Sequence, residues 1–306
     1  MSGKAKGRGE ACRILRKDAP SELAAPDTKF AVEYLGYFGY LSADMLQDVN
    51  EDDLRKAVRA FQRTFGLRLT GELDLQTMRA MKEPRCGCPD HIDKKNSAHT
   101  QFLRAQEVAE EKRNRWNKQG LTYHVDEYVT GKIPKAEQDR IFHTAFMAWD
   151  NVCGLNISKA KNAKQADIIL TTGRGPVHNF DGRGGTLAWA YMPTGTDQQL
   201  TMRFDLDETW VAQPQDRGIL LLNTAAHEFG HLLGLAHSKR PSALMAPYYN
   251  PFIAVPQADD DIPRIQKIYG PNVTPQALSH TMGVGEALTV KLRPGQRLVV
   301  TCEENL

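Results

Sequence analysis

The segment HEFGHLLGLAH, residues 227–237, contains residue types whose spacing suits a metal-dependent reaction. His227 and His231 are four residues apart, so on a helix their imidazoles project from one face within reach of a single metal ion. Gly234 tolerates the positive φ that ends a helix, and the resulting turn brings His237 back as a third nitrogen ligand. Three neutral imidazoles leave one position of a tetrahedral zinc ion open for water. The segment therefore predicts one catalytic Zn²⁺ ion.

Glu228 lies one residue along from His227, beside the open coordination position and outside the ligand set. Zinc lowers the pKa of such a water toward ~7, and a carboxylate can take its proton as the water attacks a peptide carbonyl. Histidines packed by chance in a helical core are the alternative, but the added glycine and third histidine make a chance match rare. We therefore expect Glu228 to be the general base of a peptide hydrolysis.

The region around this segment predicts a mixed α/β domain. Apolar alternation and short apolar runs predict strands in LTYHVDEYV, ADIILTT, GTLAWAYMP and LTMRFD. Helical periodicity predicts three helices, in Lys135 to Val152, RGILLLNTAAHEFGHLLGLAH and DDDIPRIQKIYG. The second of these helices carries the histidines and ends at Gly234.

The N-terminal region predicts a small bundle of three helices. The first is indicated by Val32 and Leu35 on one face, and the third by the segment DLQTMRAMK. The second begins after Asn50, a suitable N-cap, and its apolar face is formed by Leu54, Val58, Phe61 and Phe65. A non-helical stretch, PRCGCPD, follows the bundle between Pro84 and Pro89.

Changes in composition divide the chain into five predicted regions. They are a tail (1–28), the helical region with PRCGCPD (29–90), a highly charged segment (91–115), the α/β domain (116–270) and a C-terminal extension (271–306). We interpret the charged segment as a linker, with a solvated helix of the second domain as the alternative. The extension contains ALTVKL and RLVVTC around a Pro-Gly turn, which predicts a β-hairpin from the truncated start of another domain.

The overall composition excludes several classes of function. Length alone suggests two domains, since 306 residues is about twice the usual domain length of ~150. Lys and Arg number 39 against 37 Asp and Glu, a net charge of +2 that gives no electrostatic case for nucleic acid. No apolar run approaches the ~18 residues of a membrane span, and no signal peptide is visible in the first 18 residues. Five cysteines are too few for a disulfide scaffold.

In this order the motifs resemble the matrixins, or matrix metalloproteinases, within the metzincin group. That group has this zinc-binding helix followed by a Met-turn, matched here by ALMAPYY. The resemblance puts Met245 under the metal site and Pro247 and Tyr249 in the wall of the specificity pocket. Upstream, YLGYFGYL, AFQRTFGLRLTGELD and MKEPRCGCPD resemble the matrixin propeptide, and RWNKQGLTYHV resembles the start of the mature catalytic domain.

The resemblance implies a secreted, latent zinc endopeptidase that acts as a monomer on protein or peptide substrates. Its implied fold is an α/β (α+β) metzincin domain, a twisted five-stranded mixed sheet with three helices, preceded by a three-helix propeptide bundle. Because that bundle resembles peptidoglycan-binding modules, a non-catalytic protein that binds a wall or matrix polymer is the alternative. Glu228 and the complete histidine set favour the enzyme, since a retired enzyme has no need of them.

By resemblance PRCGCPD is a cysteine switch, in which Cys86 is the fourth zinc ligand of the latent form and displaces water. Arg85 and Asp90 then pair to shape the loop. Cys88 stands where the family has Val or Asn. In an extended chain its side chain points the same way as that of Cys86, about 7 Å along, so Cys88 remains an alternative ligand.

The family's other metal sites match this chain unequally. FDGRGGT and RFDLDE match its paired calcium loops, which implies a Ca²⁺ site formed by carboxylates of Asp181, Asp205 and Glu208 and carbonyls of Gly182, Gly184 and Thr186. The structural zinc site instead has Arg174, Pro176, Trp189 and Arg203 at the ligand positions. None of these binds zinc, and we interpret nearby His178 as a surface histidine. KRNR (112–115) is only a weak match to an activation cleavage site.

Overall fold

A computed structural model of the chain describes residues 25–46, 48–91 and 114–272. The predicted tail up to residue 24, residues 92–113 of the predicted linker and residues 273–306 of the C-terminal extension lie outside the described residues. The linker at 91–115 and the β-hairpin in the C-terminal extension therefore stay predictions.

Three helices form the N-terminal bundle, as the sequence predicts: α1 (Ala25–Tyr37), α2 (Glu51–Thr64) and α3 (Leu75–Met81). The Asn50 side chain caps α2 by accepting a hydrogen bond from the Asp53 amide at 2.9 Å. Because the three apolar faces point inward, the bundle has a core of its own, which includes Leu35, Phe38, Val58, Phe61 and Met78.

A six-stranded mixed sheet forms the centre of the rest of the chain. Its strands are β1 (Arg85–Cys86), β2 (Thr122–Val125), β3 (Ser158–Lys159), β4 (Ile168–Gly173), β5 (Thr186–Ala190) and β6 (Leu200–Asp205). Their order in space is β1-β5-β6-β4-β2-β3; β5 is antiparallel to β6, and the other neighbours are parallel. The five strands expected from the resemblance are β2 to β6, and the sixth is part of the PRCGCPD segment.

Three helices accompany the sheet: α4 (Lys135–Cys153), α5 (Leu221–Leu232) and α6 (Asp261–Tyr269). The ring of Phe146 on α4 stacks between Tyr123 on β2 and Phe229 on α5, with centroids 4.2 and 3.5 Å away. The Trp149 indole donates to the carbonyl of Ala226 at 2.7 Å. These contacts fix α5 in the core, so the histidines are presented from a rigid element.

The predicted start of α5 is wrong by four residues. The sequence extends this helix back to Arg217, whereas Ile219–Leu220 form a short strand, β8, that pairs with β7 (Trp210–Val211). An apolar pair before a helix continues the helical pattern, so periodicity alone does not separate the two elements.

No helix among the residues described is long and apolar enough to cross a membrane.

Candidate metal centre

His227 and His231 on helix α5 each use one ring nitrogen, Nδ1, for a hydrogen bond to the backbone. The Nδ1 atom of His227 donates to the Leu244 carbonyl, and that of His231 donates to the Leu235 carbonyl, both at 2.7 Å. A carbonyl oxygen only accepts, so the hydrogen lies on Nδ1 and the lone pair on Nε2. In both rings the lone pair of Nε2 is therefore the one that a metal ion can use.

The turn at Gly234 brings the third imidazole to this centre. Gly234 has a φ of +99°, and a Cβ there would lie 1.9 Å from the backbone oxygen of Asn114, so only glycine fits. The His237 ring centroid consequently lies 5.4 Å from that of His227 and 4.8 Å from that of His231. The three histidines that the sequence groups together are thus adjacent in space.

The Cys86 sulfur completes a four-atom set with the histidines. It lies 3.4 Å from Nε2 of His231, and one ligand atom from each of the four residues falls within 4.8 Å of the others. The Nε2 atoms of His227 and His237 are buried and have no hydrogen-bond partner within the described part of the chain. Burial, with His237 nearby, lowers the pKa of His227 to about 3, which keeps the ring neutral. Neutral imidazoles and a thiol are a donor set that fits zinc.

Glu228 lies next to this set and outside it. Its side chain is fully buried, and neither carboxylate oxygen has a hydrogen-bond partner among the described residues. Burial raises the pKa of Glu228 to about 8, with a smaller opposing effect of the Cys86 thiol. A buried carboxyl group without a partner is costly, which is typical of a functional site rather than of packing.

The PRCGCPD segment occupies the cleft above these residues through its backbone. On one side it extends the sheet from β5, and on the other it meets the chain that follows the Met-turn. The hydrogen bonds run from Arg85 N to Gly185 O (2.7 Å), Gly87 N to Ala188 O (2.8 Å), Cys86 N to Pro247 O (3.0 Å) and Tyr249 N to Pro84 O (2.9 Å). An extended peptide therefore has no free place in this cleft while the segment is bound.

A buried ion pair closes the segment into a loop. The Arg85 guanidinium contacts the Asp90 carboxylate at 2.7 and 3.1 Å, as the resemblance implies, and both side chains are 2% exposed. The guanidinium also lies 3.5 Å from the ring centroid of Phe38 in the bundle. Burial opposes ionisation of Asp90, but Arg85 and His237 together hold its pKa well below the usual range.

Asp90 has a second contact that the sequence analysis missed. Its Oδ1 atom accepts a hydrogen bond from Nδ1 of His237 at 2.7 Å, and Nε2 of that ring, like Nε2 of His227, has no partner among the described residues. The hydroxyl of Tyr40 donates to the other carboxylate oxygen at 2.7 Å. The propeptide region thus orients one of the metal-binding candidates as well as covering it.

Cys88 lies outside the three-histidine set, beside the end of β5. Its sulfur is 3.4 Å from the Ala190 carbonyl oxygen and 3.5 Å from the Ala190 amide. Its own amide donates to the Cys86 sulfur at 3.3 Å, so the chain curls around that sulfur. The two sulfurs consequently lie within 4.8 Å of each other, closer than the extended chain predicts.

The residues that the resemblance assigns to the Met-turn and specificity pocket lie on the side of α5 next to His227. Met245 is fully buried under α5, and a Cβ at Gly230 would lie 2.2 Å from its sulfur. Pro247 and Tyr249 line a pocket beside His227. Asn223, which is not among the predicted site residues, also lines this pocket, and its side-chain amide donates to the carbonyls of Asn250 and Ile253 at 3.1 and 2.9 Å. Its position four residues before His227 on α5 is the signal that identifies it.

The predicted calcium loops bring buried carboxylates together. Asp181 accepts a hydrogen bond from the Thr186 amide at 2.9 Å, and Glu208 accepts one from the Gly184 amide. Asp205 is fully buried, and its Oδ2 atom has no hydrogen-bond partner in the residues that the structure describes. Burial and then the charge of Asp181 raise the pKa of Asp205 to about 7. Carboxylates that resist ionisation in each other's presence fit a site for a hard cation.

At the positions where the family has its structural zinc ligands, the side chains of this chain contact one another and the backbone instead. Trp189 and Arg203 face each other across β5 and β6, with the guanidinium 5.8 Å from the indole ring centroid. The indole N–H donates to the His178 carbonyl at 2.8 Å. Nδ1 of His178 accepts from the Arg174 amide at 3.2 Å, so this imidazole is engaged by its own loop.

Neutral imidazoles that converge beside a buried carboxylate are typical of zinc-dependent hydrolases. The matrixin family model matches residues 115–270, and a model for a putative peptidoglycan binding domain matches residues 24–81. The chain belongs to the matrixin family.

Matrixin relatives are similar to this chain over most of its length. The chain is 37% identical to interstitial collagenase from Equus caballus over 262 residues and 36% identical to that from Bos taurus over 263 residues. It is 36% identical to macrophage metalloelastase from Rattus norvegicus over 270 residues. These alignments cover 84% of this chain and 52%, 52% and 54% of the respective relatives. The chain therefore spans about half the length of the curated relatives it matches.

Proposed function

We propose that the chain is the latent precursor of a zinc-dependent endopeptidase that hydrolyses peptide bonds of protein substrates. The observation that carries this proposal is the convergence of three imidazole nitrogens and a buried carboxylate beneath an occluded cleft. Two of those nitrogens have no hydrogen-bond partner among the described residues, and the third contacts the Cys86 sulfur. The names of the relatives, collagenase and metalloelastase, support the same class of activity. The alternative of a non-catalytic binding protein gains no support, because it gives no reason for the unpartnered Glu228.

The proposed zinc ligands are His227, His231 and His237, with Cys86 as the fourth ligand in the latent form. Zinc, when bound there, supplies a Lewis acid that polarises a carbonyl and lowers the pKa of water. Glu228 is proposed to take a proton at a carboxylate oxygen and pass it to the leaving amine. Removing the propeptide admits water to Glu228, which reduces the burial that raises its pKa.

The substrate is proposed to bind as an extended peptide in the cleft that PRCGCPD fills. The backbone groups of Gly185, Ala188 and Pro247 already bind a peptide segment, which supports their use by a substrate. One substrate side chain then enters the pocket beside Pro247 and Tyr249. Met245 supports the metal site from below.

We propose functional units with the predicted boundaries: a propeptide at 29–90, a linker at 91–115 and a catalytic domain at 116–270. The family matches over 24–81 and 115–270 support this division. We also propose a Ca²⁺ site at Asp181, Gly182, Gly184, Thr186, Asp205 and Glu208. An extracellular site of action is supported by the name interstitial collagenase among the relatives. The predicted monomer is testable by size-exclusion chromatography.

Glu228→Ala tests the proposed mechanism. The wild type and the variant are freed of the propeptide by limited proteolysis within 91–115 and assayed on a quenched peptide library. Because Glu228 is outside the ligand set, the variant should retain its zinc and lose about 10²–10⁴-fold in kcat/KM. An active variant contradicts the mechanism, and loss of zinc from it makes Glu228 a ligand. A wild-type protein that cleaves no peptide contradicts the proposed function.

A further inference from the structure

Cys86 and Cys88 are the two thiols of one short loop and face the same small space. Both are buried, at 6% and 5% exposure, and both are free cysteines. The Cys88 amide points at the Cys86 sulfur from 3.3 Å, and the two sulfurs lie within 4.8 Å of each other. The distance between their sulfurs is therefore short enough for small movements of the two side chains to bring them into bonding contact.

The loop around the two thiols is held in this shape by the sheet edge. Gly87 lies against β5 so closely that a Cβ there would be 2.5 Å from Cγ2 of Thr186. The Cys88 sulfur is held near the amide and carbonyl of Ala190. Because Gly87 and the Cys88 side chain are both held by β5, the Cys88 sulfur stays beside that of Cys86 rather than turning to solvent.

A small oxidant can reach the first sulfur from the specificity pocket. Cys86 lines that pocket together with His227, Glu228 and Pro247, and the pocket is partly open to solvent. Hydrogen peroxide is scarcely larger than the water that the pocket admits. Cys153, the third free cysteine among the described residues, is buried in the core formed with α4 and does not line this pocket.

We propose that Cys86 and Cys88 form a dithiol that hydrogen peroxide converts to an intraloop disulfide, and that this modification unblocks the latent protein without cleavage of the chain. The inference rests on the proposed function only in its second half, because the oxidation itself requires no peptidase activity. It assigns a role to the cysteine at position 88, where the resemblance expects Val or Asn.

The chemistry balances in two steps. The Cys86 sulfur attacks one peroxide oxygen, the O–O bond breaks, and Cys86 becomes a sulfenic acid while the departing hydroxide takes up the Cys86 thiol proton and leaves as water. The Cys88 thiol then attacks the Cys86 sulfur, the S–O bond breaks, and the hydroxyl group leaves as water with the Cys88 proton. Overall two thiols lose two electrons and two protons, and one peroxide is reduced to two waters. A disulfide sulfur carries no negative charge, so it is a poor replacement for a thiolate ligand.

The experiment treats the zinc-loaded, full-length precursor with hydrogen peroxide in the absence of any protease. Free thiols are then alkylated under denaturing conditions, and the tryptic peptide of residues 86–94 is identified by mass. We expect an unalkylated peptide lighter by two hydrogen atoms than its dithiol form. Peptidase activity should rise together with this peptide, and a thiol reductant should reverse both.

Two variants separate this modification from general oxidation. Cys88→Val keeps a buried apolar group but removes the second thiol, so Cys86 should advance to sulfinic acid and any activity gained should persist after reduction. Cys153→Ser should form the Cys86–Cys88 disulfide as the wild type does.

Oxidation of Cys86 without the disulfide overturns the proposal, and so does a disulfide that leaves the precursor latent while the proteolysed protein is active. If the proteolysed protein is itself inactive, the proposed function fails, and the masses still decide whether the dithiol reacts.

Discussion

Cys86 and Cys88 have different surroundings, and the difference predicts which of them maintains latency. The Cys86 sulfur is 3.4 Å from Nε2 of His231, whereas that of Cys88 contacts the backbone of Ala190. We therefore expect the Cys86→Ser precursor to cleave peptides before any proteolysis and the Cys88→Ser precursor to stay latent under reducing conditions. Activity of the Cys88→Ser precursor alone reverses the assignment, and inactivity of both precursors and the double mutant rejects a thiol switch.

Asp90 gives the latent structure a stability that depends on pH. Removing one partner of a buried ion pair costs about 3–5 kcal/mol, so Asp90→Asn should unfold at lower urea concentration at neutral pH. Because its folded pKa is depressed, this stability is complete above the ordinary carboxyl pKa of about 3.9 and is lost as pH falls through the folded value.

Urea unfolding of the precursor from pH 7 down to pH 3 measures this effect. The difference in free energy of unfolding between the wild type and Asp90→Asn should be constant from pH 7 downward and should decrease only at the acid end of the range. Asp52→Asn is the matched control, since Asp52 pairs with Lys56 at the surface with 74% of its side chain exposed. A constant gap over the whole range contradicts the assigned role of Asp90.

At the scale of elements, the two acidic loops predict a stability that depends on calcium. A bound ion stabilises the folded state by about 2.7 kcal/mol when its concentration is 100 times its Kd. Without the ion, Asp205 is protonated when folded and ionised when unfolded between pH values of about 3.9 and about 7, so stability falls as pH rises through that window.

Thermal unfolding with and without a calcium chelator checks this prediction. The chelator should lower Tm, and more at pH 8 than at pH 5. Asp205→Asn should reduce the difference in Tm between samples with and without the chelator. An equal effect of the chelator at both pH values excludes the carboxylate cluster as its cause.

The contacts between β5 and β6 predict one zinc ion per chain. Trp189 and Arg203 face each other at positions that the family uses for ligands, and His178 is bonded to the backbone of its own loop. Elemental analysis of the purified protein should therefore give one zinc, and His178→Ala should leave that value unchanged. Two zinc ions in the wild type and one in the variant contradict this prediction.

Over the whole molecule, the sequence predicts well what a regular pattern encodes. The i,i+4 histidines, the turn at Gly234 and the apolar faces of α1 to α3 follow from local periodicity and are present as predicted. The strands β1, β3, β7 and β8 were missed as strands, because two residues carry no alternation. The contact between Asp90 and His237 spans 147 positions and arises only when the two regions dock.

The addition of β1 to the edge of the sheet has a consequence for activation by cleavage. The propeptide is held to the catalytic domain by backbone hydrogen bonds, by the contact of Asp90 with His237 and by the ring contact of Phe65 with Tyr248, none of which is broken by a cut between residues 91 and 114. While the chain is intact, the tether keeps the blocking strand at a local concentration of up to about millimolar. After a cut, the same contacts form a complex of two fragments that obeys mass action. Its activity then depends on dilution, so a cleaved sample stored concentrated remains partly self-inhibited.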